Sequence, residues 1–133
     1  MTALKERLGM AEAGVDPDEV AKTIVLKTSG GFVRTVLPAT ERLDLRRVRE
    51  HLADGSHARL ATEAELDAAY PGFESGAVPP FGGRKNDEVI VDPRVAARES
   101  IVFEAGTHEE SVRMRVEDLL ALTRARIVDI CEW

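Results

Sequence analysis

The order of apolar and polar positions divides this chain into short elements. Asp16-Pro17-Asp18-Glu19 sets an N-cap acid, a proline at the first helical position and further acids ahead of Val20, which predicts a short helix. Apolar and β-branched residues from Lys22 to Leu26, a Thr28-Ser29-Gly30-Gly31 turn and a second extended run from Phe32 to Leu37, closed by Pro38, predict a β-hairpin. From Asp44 onward, Leu45, Val48 and Leu52 recur at helical spacing with Arg46, Arg47 and Arg49 on the other sides, and Gly55 ends the pattern. A short strand around Ala58 to Ala61 then leads into a capping box, Thr62-Glu63-Ala64-Glu65, which opens a helix running to Ala69.

Residues 71–86 interrupt this regularity. Four glycines and three prolines in that stretch exclude a helix or a central strand and leave a structured functional loop or a disordered one. Beyond it, Val89 to Val91 reads as a strand and Asp92-Pro93 caps a brief helix. Ile101, Phe103 and Ala105 alternate with Val102 and Glu104, and Val112, Met114 and Val116 alternate with Ser111, Arg113 and Arg115, giving two more strands, the second with one wet face. Glu117 to Leu122 reads as a helix with acids in its first turn, and Arg126 to Ile130 as a closing strand. Strands joined partly by hairpins and partly by helices favour an α+β fold, a mixed sheet with helices packed around it, over a doubly wound one.

Composition narrows the function. At 133 residues and 44% hydrophobic content the chain is the size of one domain with its own core, so residues 1–133 are expected to form a single unit. Its 18 Lys+Arg against 24 Asp+Glu give a net charge of -6, which argues against coating duplex DNA. Residues 1–14 mix Lys5, Glu6, Arg7 and Glu12 with apolar positions, unlike a signal peptide, and no stretch approaches the length of a membrane span. One cysteine, Cys131, excludes an internal disulfide and fits a reducing compartment, with the cytoplasm as the default.

Standard catalytic motifs are missing. His51, His57 and His108 form no His-Glu-x-x-His pair, and Gly82-Gly83-Arg84-Lys85 is too short for a phosphate loop and lacks its hydroxyl. Gly72 lies three residues before Ser75, so the nucleophile elbow of a serine hydrolase is absent too. No ligand set for a metal and no cofactor motif is evident, so catalysis would lean on positioning and backbone donors. Three features remain. Strand alternation puts Lys22 on the face of Ile24 and Leu26, and Lys27 on the face of Thr23 and Val25. Lys22 is then either a strand-end lysine that snorkels out or guards an edge, or an anchor for an anionic ligand. The Gly76 to Gly82 segment is either a rigid connector or a loop that brings backbone N–H groups to a ligand. Ala105-Gly106-Thr107-His108 is either a strand-ending turn with an exposed histidine or part of a site.

Read together, Ala21-Lys22-Thr23-Ile24-Val25-Leu26, Val36-Leu37-Pro38 with Leu43-Asp44-Leu45, Gly72-Phe73 through Gly76-Ala77-Val78-Pro79-Pro80-Phe81-Gly82, Val89-Ile90-Val91-Asp92, Ala105-Gly106-Thr107-His108, and Asp118-Leu119-Leu120 with Val128-Asp129-Ile130 resemble the YbaK / prolyl-tRNA-synthetase-associated domain family, over residues 17 to 131. The resemblance implies a barrel-like mixed sheet and trans-editing hydrolysis of wrongly charged aminoacyl-tRNA. It implies Lys22 as the functional lysine, Gly76, Pro80 and Gly82, with Phe81 between them, as the substrate loop, and Gly106 as the glycine beside the scissile ester. His108 resembles the histidine of members with a Gly-x-His motif, where it borders the aminoacyl pocket. The chain departs from many members at Ala105 and Glu109, where they carry glycine, and begins later than their longer N-terminal helix and strand.

The implied chemistry needs no metal, cofactor or protein nucleophile. A positioned water and a stabilised oxyanion suffice, the neighbouring ribose hydroxyl of the terminal adenosine moves the proton, and Lys22 holds the terminal phosphate or the substrate carbonyl as a point charge. The expected partner is the 3′ end of an aminoacyl-tRNA carrying a small amino acid such as alanine. The acidic chain has one candidate basic strip, Arg42, Arg46, Arg47 and Arg49, which can equally be a solvated helix face, so delivery of the tRNA would fall to a synthetase or an elongation factor. Two rival readings stand beside this one: a binding module that keeps the fold without turnover, and a small-metabolite esterase.

Overall fold

The computed structural model describes residues 16–53 and 57–132. The hairpin forms as the pattern predicts: β1 (Ala21–Thr28) pairs antiparallel with β2 (Gly31–Pro38) in a register running from Ala21 opposite Pro38 to Thr28 opposite Gly31. β3 (Arg59–Leu60), β4 (Glu88–Val91) and β7 (Arg126–Ile127) complete a five-stranded sheet in the order β3-β1-β2-β4-β7, with β4 parallel to both β2 and β7. β5 (Ser100–Glu104) and β6 (Ser111–Arg115) form a separate antiparallel pair, which touches the larger sheet through a bridge between Val20 and Val102. The sheet is open, with β3 and β7 as its edges, so the barrel-like expectation is corrected to a mixed open sheet. Closure would need those edge strands to meet, and each has only two residues to pair.

Local chemistry sets the helices. Pro17–Glu19 is one turn of 3-10 helix capped by the Asp16 carboxylate. Asp44 caps α1 (Leu45–Glu50), and Thr62 and Glu65 close a reciprocal capping box at α2 (Glu63–Ala69). Asp92 caps α3 (Pro93–Ala96), and α4 (Val116–Thr123) ends on Arg124 in the left-handed conformation, φ 53°. α1 stops at Glu50; the Gly55 stop expected for it lies outside the described residues. Val116 opens α4 and does not end β6, although its N–H still donates to the Glu99 carbonyl at 2.9 Å. The expected closing strand shrinks to Arg126 and Ile127, because β4 offers only Ile90 and Val91 as partners. Val128 to Cys131 instead cover the sheet, Ile130 and Cys131 being buried with Leu26, Leu37, Val48 and Ile90.

The sheet is covered on both faces. Val36, Val89 and Val91 pack with Phe103, Val116 and Leu119 on one side, while Leu26, Leu37 and Ile90 pack against α1 and the C-terminal segment on the other. This is why β2 is buried without interruption from Val33 to Pro38, Arg34 and Thr35 included, and not at alternate positions.

Candidate active site

The outer edge of β1 carries a gap. β3 pairs only with Leu26 and Lys27, helped by the Ala61 N–H donating to the Val25 carbonyl, and the bridge to Val102 lies at Val20. Between them, at Ala21 to Ile24, no strand among the described residues covers that edge. Backbone groups alternate in direction along a strand, and since the Val25 carbonyl points outward to Ala61, the N–H and C=O of Thr23 point outward too, into the gap.

A cavity of about 270 Å³ occupies this gap, lined by Val20 to Thr23, Ala39, Gly76 to Val78, Phe103 and Glu104. The register pairs Lys22 with Leu37, as the alternation predicts, and Lys22 sits half-buried on the cavity wall with no hydrogen-bond or ion-pair partner among the described residues. Lys27 lies at the far end of the strand, its ammonium bonded to the Thr28 carbonyl at 2.7 Å and placed over the Phe32 ring.

The loop between α2 and β4 is ordered through Ala77 to Pro80, all buried. Gly76 forms cavity wall at φ 82°, and a Cβ there would lie 3.3 Å from Cε1 of His108. His108 thus lies against Gly76, behind the cavity wall. Its Nδ1 lies 2.8 Å from the Glu104 carboxylate and its Nε2 lies 2.8 Å from the Ser75 carbonyl, while its backbone N–H donates to Glu74. An ionised carboxylate and a carbonyl can only accept, so the doubly protonated ring satisfies both contacts together. Glu104 was not singled out from the sequence; its signal is its place at the end of a strand, four residues before His108.

Gly106 lies behind the loop and not on the cavity wall. Its N–H is committed to the Ala77 carbonyl at 3.0 Å, its own carbonyl accepts from Glu74 at 2.7 Å, and at φ 103° a Cβ would come within 2.7 Å of the Phe73 ring. The glycine therefore holds the loop against the turn after β5.

The other end of the loop goes elsewhere. Pro80, Phe81 and Gly82 line a second cleft, of about 630 Å³, together with Arg34, residues 84–87, Val89 and Leu122 to Arg124. The structure thus brings Lys22 and Gly76 to one cavity, with His108 behind Gly76, and places Pro80, Phe81 and Gly82 apart from them, although Phe81 packs edge-on against cavity residue Phe103 at 5.9 Å. The loop is pinned by Arg34, which is 1% exposed and donates to the carbonyls of Pro79 at 2.9 Å and Gly82 at 2.6 Å. Asp87 pairs with Arg34 at 3.0 Å and accepts from the Tyr70 hydroxyl at 2.5 Å. Burial, reinforced by the bond to Asp87, pushes the Tyr70 hydroxyl up to about 12. Among the described residues no cluster of His, Cys, Asp and Glu is arranged to hold a metal ion, and no helix is long and apolar enough to cross a membrane.

The described residues thus form an open mixed sheet with a pocket at the edge of its first strand, beside the glycine-proline loop. The family model for the aminoacyl-tRNA editing domain matches residues 7–122, and the chain belongs to that family. Among solved structures it resembles a candidate trans-editing enzyme for prolyl tRNA synthetase at 24% identity, covering 96% of this chain and 79% of that one, with a TM-score of 0.84. It also resembles a scaffold protein used for computational epitope backbone grafting, at 23% identity over 97% of this chain and 81% of that one, with a TM-score of 0.85. A candidate signal transduction protein from Marinobacter aquaeolei matches at 19% identity and a TM-score of 0.71, over 98% of this chain but 30% of that one. No curated protein matches the chain.

Proposed function

We propose that this protein hydrolyses the ester of mischarged aminoacyl-tRNA, taking a small amino acid such as alanine. Membership of the editing-domain family supports an editing role, and the observation that carries the reaction is the cavity at the edge of β1, whose wall holds both Lys22, without a side-chain partner among the described residues, and Thr23 with its outward-facing backbone groups. Water attacks the ester carbonyl carbon, the carbonyl oxygen becomes an oxyanion, and the bond to the ribose oxygen breaks. The proton from water passes to that oxygen by way of the neighbouring ribose hydroxyl, leaving free amino acid and tRNA. Lys22 and the Thr23 N–H stabilise the oxyanion, a contact that strengthens only as charge develops. Ala21, Ala77, Val78 and Phe103 give the acyl side chain an apolar wall, and His108, fixed by Glu104, limits its size.

The test is to incubate the protein with a panel of matched and mismatched aminoacyl-tRNAs and follow ester loss. At least one mismatched species with a small side chain is expected to be deacylated, and stability of every ester in the panel would overturn the proposal. A second reading, a module that binds an aminoacyl or nucleotide group without turnover, is favoured by the same fold making up 30% of the signal transduction protein. It predicts saturable binding of charged tRNA with the ester left intact.

A further inference from the structure

The second cleft is where positive charge is left over on an acidic molecule. Arg34, Arg84, Lys85 and Arg124 line it against a single carboxylate, Asp87. Asp87 is already engaged by Arg34 and Arg84, and Arg84 also lies over the Phe32 ring at 4.9 Å. Lys85 and Arg124 are exposed and have no partner among the described residues. Their positions are set by the backbone, since the adjoining Asn86 and Arg124 itself both hold positive φ, at 68° and 53°.

The other charged clefts are compensated. The groove along α1 sets Arg46 and Arg47 against Asp44, Glu50 and Asp129, and Arg47 pairs with both aspartates. The groove beside α3 sets Arg94 and Arg98 against Asp18 and Glu41. Arg46 and Arg47 of the arginine strip visible in the sequence are therefore offset by neighbouring acids, and Arg49 is spent on the Ala58 carbonyl, whereas the second cleft, to which the sequence did not point, keeps its cations.

We propose that this cleft binds the phosphodiester backbone of the tRNA whose 3′ end occupies the β1 cavity, with Lys85 and Arg124 as the phosphate contacts and exposed Leu122 beside them as an apolar rest for the ribose. The inference rests on the editing function proposed above. Its geometry comes from the loop: Gly76 forms wall in the cavity and Gly82 forms wall in the cleft, and a chain of that length spans at most about 22 Å, the reach of a few nucleotides. With a net charge of -6 the rest of the surface repels RNA, so a local cationic cleft orients it.

The experiment compares the parent with Lys85→Ala/Arg124→Ala and Arg46→Ala/Arg47→Ala, measuring uncharged tRNA binding by fluorescence anisotropy across a range of salt. The cleft variant should bind about tenfold more weakly, and its log K against log salt should be shallower by one to two, near the 0.7 to 0.9 per lost phosphate contact expected for RNA and duplex. The α1 variant should match the parent. With charged tRNA the cleft variant should raise KM and leave kcat unchanged, and an aminoacyl ester of adenosine alone should be hydrolysed at the parent rate. Unchanged tRNA affinity and salt slope in the cleft variant, or a loss confined to the α1 variant, would overturn the proposal. So would loss of inorganic pyrophosphate binding in the cleft variant with tRNA binding intact, because the cleft would then serve a free anion. Uncharged tRNA has no ester, so binding that depends on Lys85 and Arg124 without deacylation would remove the deacylase reading alone.

Discussion

At the scale of single residues, Lys22 carries the sharpest expectation. Removing a charged contact made in the transition state costs about 2 to 4 kcal/mol, so Lys22→Ala should lower the deacylation rate about 30- to 1,000-fold. Lys27→Ala serves as the control, because Lys27 is tied to Thr28 and Phe32 away from the cavity; equal turnover in parent and Lys22→Ala, with the fold intact, would remove the role given to Lys22. His108 should act on selectivity. Its ring is held against Gly76 by Glu104 and the Ser75 carbonyl, so His108→Ala frees space behind the Gly76 wall and should let it yield to larger acyl groups. A sieve discriminates by about 1 to 3 kcal/mol per methylene, so the ratio of rates for a small and a larger aminoacyl group on one tRNA should fall about tenfold or more. An unchanged ratio would make His108 a turn residue. Both side chains were singled out through the family resemblance, since a strand-start lysine and a turn histidine read by themselves equally as structural residues. Glu104 was not, because a strand-end acid looks like any solvated carboxylate until the turn folds His108 back onto it.

At the scale of elements, the loop from residue 71 to 87 depends on one buried guanidinium. Arg34 and Asp87 have side chains 1% and 5% exposed; removing Asp87 leaves the buried guanidinium with two carbonyls and no counter-charge, whereas Asp87 without Arg34 keeps Arg84 and the Tyr70 hydroxyl. Breaking such a pair costs about 3 to 5 kcal/mol, and Asp87→Ala should lower the urea midpoint accordingly. Arg34→Met, which removes the charge but keeps the bulk, should instead loosen the loop, read as faster hydrogen exchange at Ala77 and Val78; protection equal to the parent would show that the two carbonyl contacts do not hold it. A cation between Phe32-Val33 and Val36-Leu37 was the available signal, yet an arginine in a strand reads first as a wet-face residue. Elements built on neighbouring residues were legible: the Ser29-Gly30 hairpin, the Thr62/Glu65 capping box and the Asp92 cap all form as their short-range chemistry dictates. β7 was overextended because the length of an edge strand is fixed by its partner. The gap along β1 was hidden for the same reason, since it is defined by strands that stop short.

At the scale of the whole molecule, alkaline pH should find its weakness. Burial, and after it the Asp92 carboxylate, pushes the Cys131 thiol from 9.0 up to about 12, and Tyr70 rises from 10.0 to about 12. The folded state favours the protonated form of both, so their stabilisation is complete below the unfolded values and is lost as pH climbs from about 9 towards 12. The urea midpoint should fall across that window, with Cys131→Ala lessening the fall throughout and Tyr70→Phe lessening its upper part; a level midpoint in the parent would contradict this. The sheet order has a consequence in time. β1 and β2 sit at its centre and are joined by two residues, whereas residues 39–87 must be gathered in before β4 can pair with β2. Closing a short loop costs less chain entropy than closing a long one, so the hairpin is the natural nucleus and the parallel strands condense onto it. Leu26→Ala should then slow refolding, while Leu119→Ala, in α4, should mainly hasten unfolding; the reverse pattern in chevron kinetics would place the nucleus at the C-terminal half. The strand whose open edge bounds the cavity is thus among the first parts of the chain to take shape, and the loop that completes the cavity is fastened to it only later.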